Sequence, residues 1–143
     1  MRHCREWRHR RLSNVCAKRK DRPPDPRQTF GRYGEDAAAE HLRRKGFVVV
    51  ARNVRTPFGE IDLIALDDDV VVFVEVKSRR SRSGSAALEA VDRRKQQRLS
   101  RLALMFLARA GWLERRARFD VVAVEADGAC THVVNAFDCV PGC

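Results

Sequence analysis

Two hydrophobic periods alternate along this chain. From Phe30 to Gly46, Ala38 and Leu42 recur at helical spacing, Glu35 and Asp36 precede Arg43, Arg44 and Lys45, and Gly46 ends the run. That order of charge suits a helix dipole and predicts a helix. Phe47–Val54 is apolar and β-branched, predicting a strand, and Thr56-Pro57-Phe58-Gly59 predicts a turn. Two further strands are expected over Gly59–Leu66 and Val70–Lys77, hinged on Asp67-Asp68-Asp69. Ser78–Ser85 reads as a polar loop. Ala87–Gly111 reads as a long amphipathic helix, with Val91, Leu99, Leu102 and Phe106 on its inner stripe. Phe119–Val124 and Thr131–Phe137 complete the pattern as strands around a turn at Asp127-Gly128. Helix, three strands, helix and two strands predict an α/β fold with one mixed sheet.

The strand Val70–Lys77 is interrupted chemically at its end. Glu75 and Lys77 are two residues apart and project from one face, opposite Val74 and Val76. An acid and an amine closing an apolar strand are costly unless paired or bound. A hairpin centred between Asp68 and Asp69 sets Leu66 against Val71, Ile64 against Phe73 and Asp62 against Glu75. Facing carboxylates destabilise a sheet unless a cation lies between them, and oxygen ligands suit a hard divalent ion. A turn shifted by one residue would put the two acids on opposite faces. Glu35 shares the inward stripe of the first helix with Ala38, Ala39 and Leu42, as a further acid for this pocket or as a dipole-stabilising one.

Composition shifts the picture in two ways. The chain of 143 residues has 29 Lys plus Arg against 19 Asp plus Glu, a formal net charge of +10 that favours a polyanionic partner. Residues 1–28 carry +7 of it and end in Pro23, Pro24 and Pro26, which reads as a basic, disordered extension ahead of a domain over 29–143. Only five of the 29 cations are lysines, so Lys77 beside Glu75, and Lys95 between Val91 and Leu99, stand out chemically. Arg79, Arg80 and Arg82 follow the second acid, and Arg93, Arg94, Arg98 and Arg101 line the second helix, suiting a phosphate backbone. The five cysteines form no CxxC pair, and neither a signal peptide nor a membrane span is in view, so a reduced, cytoplasmic protein is expected. A zinc site from Cys130, His132, Cys139 and Cys143 matches no compact spacing.

Gly59-Glu60-Ile61-Asp62 followed by Phe73-Val74-Glu75-Val76-Lys77 resembles the D…E-x-K core of the PD-(D/E)XK nucleases, with Glu60-Ile61 where the superfamily's name has Pro. With Gly31-x-x-Gly34-Glu35, Arg52-Asn53, Arg118-Phe119-Asp120 and Asn135-Ala136-Phe137, residues 31–137 resemble the bacterial YraN family within that superfamily. The resemblance implies a restriction-endonuclease-like αβββαβ core whose mixed central sheet is flanked by helices. It implies Mg²⁺ or Mn²⁺ held by Asp62 and Glu75, Lys77 acting on water and phosphate, and Glu35 as the helix-borne acid. Arg79, Arg80, Arg94, Lys95 and Arg98 become the expected nucleic-acid contacts. The implied activity is phosphodiester cleavage of DNA, including branched or repair intermediates, and analogy with the resolvases implies a homodimer. Two other readings stay open: a DNA-binding module of the same fold that does not cut, and an adaptor in which these charges form a buried ion-pair network.

Overall fold

A computed structural model of the protein describes residues 25–79 and 91–140. The first helix, α1, spans Pro26–Arg44, four residues earlier than its expected start. Asp25 is the cause: its carboxylate accepts the Arg27 N–H at 2.9 Å, and Pro26 takes the first helical position, where a missing N–H costs nothing. Pro26 therefore opens a helix instead of closing a linker. Of the expected basic extension, residues 1–24 lie outside the described residues. At the other end Gly46 adopts φ +92°, which lets the Phe47 N–H reach back to the Leu42 carbonyl at 3.0 Å.

The strands are β1 (Val48–Thr56), β2 (Gly59–Asp67), β3 (Val70–Ser78), β4 (Ala117–Val124) and β5 (Cys130–Phe137), and the second helix, α2, is Arg93–Ala110. Each strand lies within two residues of its expectation. α2 starts later than Ala87 among the described residues, because the Asp92 carboxylate caps it through the Lys95 N–H at 2.9 Å. Val91 is buried ahead of the helix, not along its stripe. The expected loop and the first residues of the expected helix fall mostly on 80–90, outside the described residues, and with them Arg80 and Arg82.

The sheet order is β1-β2-β3-β4-β5. Neighbours are antiparallel except β3 and β4, which are parallel and joined through α2, as a parallel pair requires a crossover. This mixed five-stranded sheet with a helix on each face is an α/β fold consistent with a restriction-endonuclease-like core. On one face Ile64, Phe73, Phe119 and Val121 pack against Leu99, Leu102, Ala103 and Leu107 of α2. On the other, Leu63, Val72, Val74 and Val122 pack against Ala38, Ala39 and Leu42 of α1. The hairpin register is the expected one, with Leu66 paired to Val71 and Ile64 to Phe73. No helix among the described residues is long and apolar enough to cross a membrane.

Candidate functional site

The ladder between β2 and β3 runs out at Leu63 and Val74. One residue further, the Asp62 side chain takes over from the backbone: its Oδ2 accepts the Val76 N–H at 2.8 Å. Asp62 and Glu75 thus flank the point where the strands part. Strand alternation from the Ile64–Phe73 pair puts both on the α2 face, and half-buried Lys77 follows on the same side. Burial, then the charge of Glu75, push the Asp62 carboxyl up to about 7, with Glu35 adding to the rise; the Val76 N–H and Lys95 pull the other way.

Glu75 is 9% exposed, and its carboxylate is ion-paired with the Lys95 ammonium. Lys95 lies three residues past the cap of α2, so the cap sets where its side chain meets the sheet. The residue expected at the pocket's edge as a phosphate contact is instead turned onto the second acid.

Glu35 is delivered by close packing of α1 on the end of β3. A methyl group on Gly34 would land on the Ser78 hydroxyl and 3.0 Å from its Cβ, so glycine there lets the helix approach. Carboxylate oxygens of Glu35, Glu60 and Asp62 then lie within 4.8 Å of one another. Glu60 was not among the expected ligands. Its Oε2 accepts the Arg55 Nε at 3.0 Å across the β1–β2 ladder, which holds the side chain at this end of the strand. The structure therefore gathers Asp62, Glu35, Glu75 and Lys95 at one end of the sheet, adds Glu60, and pairs Glu75 with a lysine instead of placing it in the tight carboxylate group.

The expected nucleic-acid contacts separate. Arg94 and Arg98 are exposed on α2, and the Arg98 stem lies over Gly59, where an added Cβ would meet its Cδ at 3.1 Å. Arg79 is half-buried between β3 and β4, its N–H donating to the Val124 carbonyl at 2.8 Å.

A second polar cluster supports the far side of the sheet. Asp120 is 0% exposed. Its carboxylate accepts Arg118 Nε at 3.0 Å, His132 Nε2 at 2.8 Å and the Asn135 N–H at 2.9 Å. Burial alone would raise this carboxyl; the bonds from His132, Arg118 and Asn135 outweigh it and hold the group below the usual carboxylate range. Arg118 also reaches Asp67 at 2.9 Å, and Lys45 Nζ lies 2.9 Å from His132 Nδ1. His132 is thereby committed to this network and not to thiols. The alternation Arg118-Phe119-Asp120 carried the signal, since it puts opposite charges on one face of an apolar strand.

The family model described as "Uncharacterised protein family UPF0102" matches residues 34–124. Among similar proteins, a UPF0102 protein of Symbiobacterium thermophilum is 53% identical over 111 residues, covering 75% of this chain and 94% of the relative. One from Desulfosudis oleivorans is 45% identical over 113 residues, covering 78% and 92%. One from Pseudomonas aeruginosa is 47% identical over 114 residues, covering 76% and 91%. The matched residues 34–124 include every member of the acidic site, from Glu35 to Lys95.

Proposed function

The chain belongs to the UPF0102 (YraN) family, and from that premise we propose that it is a Mg²⁺- or Mn²⁺-dependent phosphodiester hydrolase, an endonuclease acting on DNA in the cytoplasm. One observation carries the reading: three carboxylates converge to within 4.8 Å beside a fourth, where their repulsion has no structural benefit. Oxygen ligands of one divalent ion sit about 2.0–2.6 Å from it, so they lie no more than about 4–5 Å apart. The all-oxygen set of Glu35, Glu60 and Asp62 fits that span, and Glu75 stands next to it.

When bound there, a hard divalent ion would supply Lewis acidity toward phosphate and water. The chain's own groups supply the rest. Asp62 is pinned by the Val76 N–H, so its free oxygen points to the pocket without reorganisation. The Lys77 ammonium holds the attacking water and faces the charge that grows on the phosphate oxygens. Water oxygen bonds to phosphorus as the bond from phosphorus to the leaving oxygen breaks with its electron pair; one proton leaves the water for solvent and the leaving oxygen takes one up. Lys95 keeps Glu75 oriented until substrate arrives.

The test is the full chain incubated with branched, single-stranded and duplex DNA, with and without Mg²⁺ or Mn²⁺. Metal-dependent products that vanish in Asp62→Ala and Glu75→Ala, both still folded by circular dichroism, are expected; full activity in Asp62→Ala overturns the assignment. The Lys95–Glu75 ion pair favours a second reading, a DNA-binding module that does not cut. Binding without products in any metal selects it.

A further inference from the structure

The β1–β2 turn lies at the same end of the sheet as the acidic site, three residues before Asp62, or about 10–13 Å along the strand. It presents Phe58 to solvent, 55% exposed. The turn is rigid. Thr56 Oγ1 accepts the Phe58 N–H at 3.1 Å and donates to the Gly59 carbonyl at 3.1 Å, Pro57 restricts the backbone, and Gly59 is seated on Arg98 and Leu102 of α2. The side chain is thus held out where it contributes little to the core. Two arginines lie near the turn: Arg55, half exposed on β1 and ion-paired with Glu60, and Arg98, whose stem packs on Gly59.

A solvent-facing aromatic ring on a hydrogen-bonded turn, with arginines near it, has the chemistry of a nucleobase platform, in which cations take the backbone and the ring takes an unpaired base. We propose that Phe58 stacks against an unpaired base of the DNA strand entering the acidic site, which sets the substrate class as DNA with single-stranded character beside the scissile phosphate. The path of the strand rests on the hydrolase reading; the platform itself does not. Tyr33 makes the contrast. It is 50% exposed, but its hydroxyl lies against Gly128 in the turn that carries Glu125 and Asp127, where a phosphate backbone is repelled.

The experiment uses the full chain, Ca²⁺ in place of Mg²⁺, and two probes: a single-stranded oligonucleotide containing 2-aminopurine and a blunt duplex. Wild type should bind the single strand and quench the 2-aminopurine. Phe58→Ala should bind it about 5- to 150-fold more weakly, the range for loss of one base–aromatic stack, with blunt-duplex affinity unchanged. Phe58→Trp should restore binding and quenching, and Tyr33→Ala should behave as wild type. Wild-type failure to bind the single strand, undiminished binding by Phe58→Ala, or equal losses on both probes would overturn the proposal. Stacking without cleavage in Mg²⁺ or Mn²⁺ would remove the hydrolase reading and leave the platform. Cleavage with single-strand affinity unaltered by Phe58→Ala would do the reverse.

Discussion

On the hydrolase reading Asp62 is placed for binding and not for stability, and Asp62→Asn should show it. The carboxyl is moved from an ordinary 3.8 to about 7, so without metal the folded state holds a proton that the unfolded state has already released. Below about pH 4 both states are protonated and the site costs nothing. As pH rises from 3.8 toward 7 the unfolded chain ionises first and wild type loses stability; above 7 the penalty is complete. Three units at about 1.36 kcal/mol each set an upper limit of about 4 kcal/mol. Asparagine removes the charge and keeps an oxygen to accept the Val76 N–H, so the variant escapes the penalty. In chelator, urea denaturation should find Asp62→Asn more stable, with the advantage growing by about 2–3 kcal/mol between pH 5 and pH 8. Mn²⁺ should then narrow the gap, because a ligand at 100 times its Kd stabilises only the binding-competent protein, by about 2.7 kcal/mol. An advantage that does not change with pH, or a variant less stable throughout, would refute the burial and charge argument.

Three further outcomes follow from the same geometry. Glu60→Gln should weaken Mn²⁺ binding about 10- to 100-fold by calorimetry while leaving the unfolding midpoint in chelator no lower. Gly34→Ala should cost about 1–3 kcal/mol in denaturant unfolding, since the methyl meets the Ser78 side chain, and Ser78→Gly should rescue it. Asp120→Asn should cost about 1–3 kcal/mol, because it takes from half-buried Arg118 one of its two carboxylate partners and leaves it with Asp67; a loss within error of zero by thermal unfolding would contradict the network.

The order of elements was legible because each has a clean period and a clean stop. Val70–Val74 is an unbroken apolar run, and Gly46 and Gly111 end helices in the left-handed conformation their sequence allows. The hairpin register followed from one assumption about Asp68-Asp69, and the alternation of Leu66, Ile64 and Asp62 carried it to the site. Helix starts were harder to read, because a cap is a single polar side chain. Asp25 before Pro26 and Asp92 before Arg93 fix where α1 and α2 begin, yet neither breaks the hydrophobic pattern.

The site was legible wherever it depends on one strand pair, and opaque wherever it depends on a helix meeting a strand. Asp62, Glu75 and Lys77 are related by strand alternation and a turn, both local. Glu60 lies two residues before Asp62 on the same face of β2, and its place in the group depends on Arg55 opposite it and on how closely α1 approaches. That approach is set by Gly34 against Ser78, 44 positions apart in the chain. The pairing of Lys95 with Glu75 has the same origin: the Asp92 cap fixes the helix phase, and the phase alone decides whether the ammonium faces a phosphate or a carboxylate. The ion pair holds Glu75 in place while the pocket is empty. The lysine must then yield whenever Glu75 is drawn toward a cation, so Lys95→Met should raise Asp62 further by removing the charge that now lowers it. A ¹³C carboxyl titration that found Asp62 unmoved in that variant would separate Lys95 from the site.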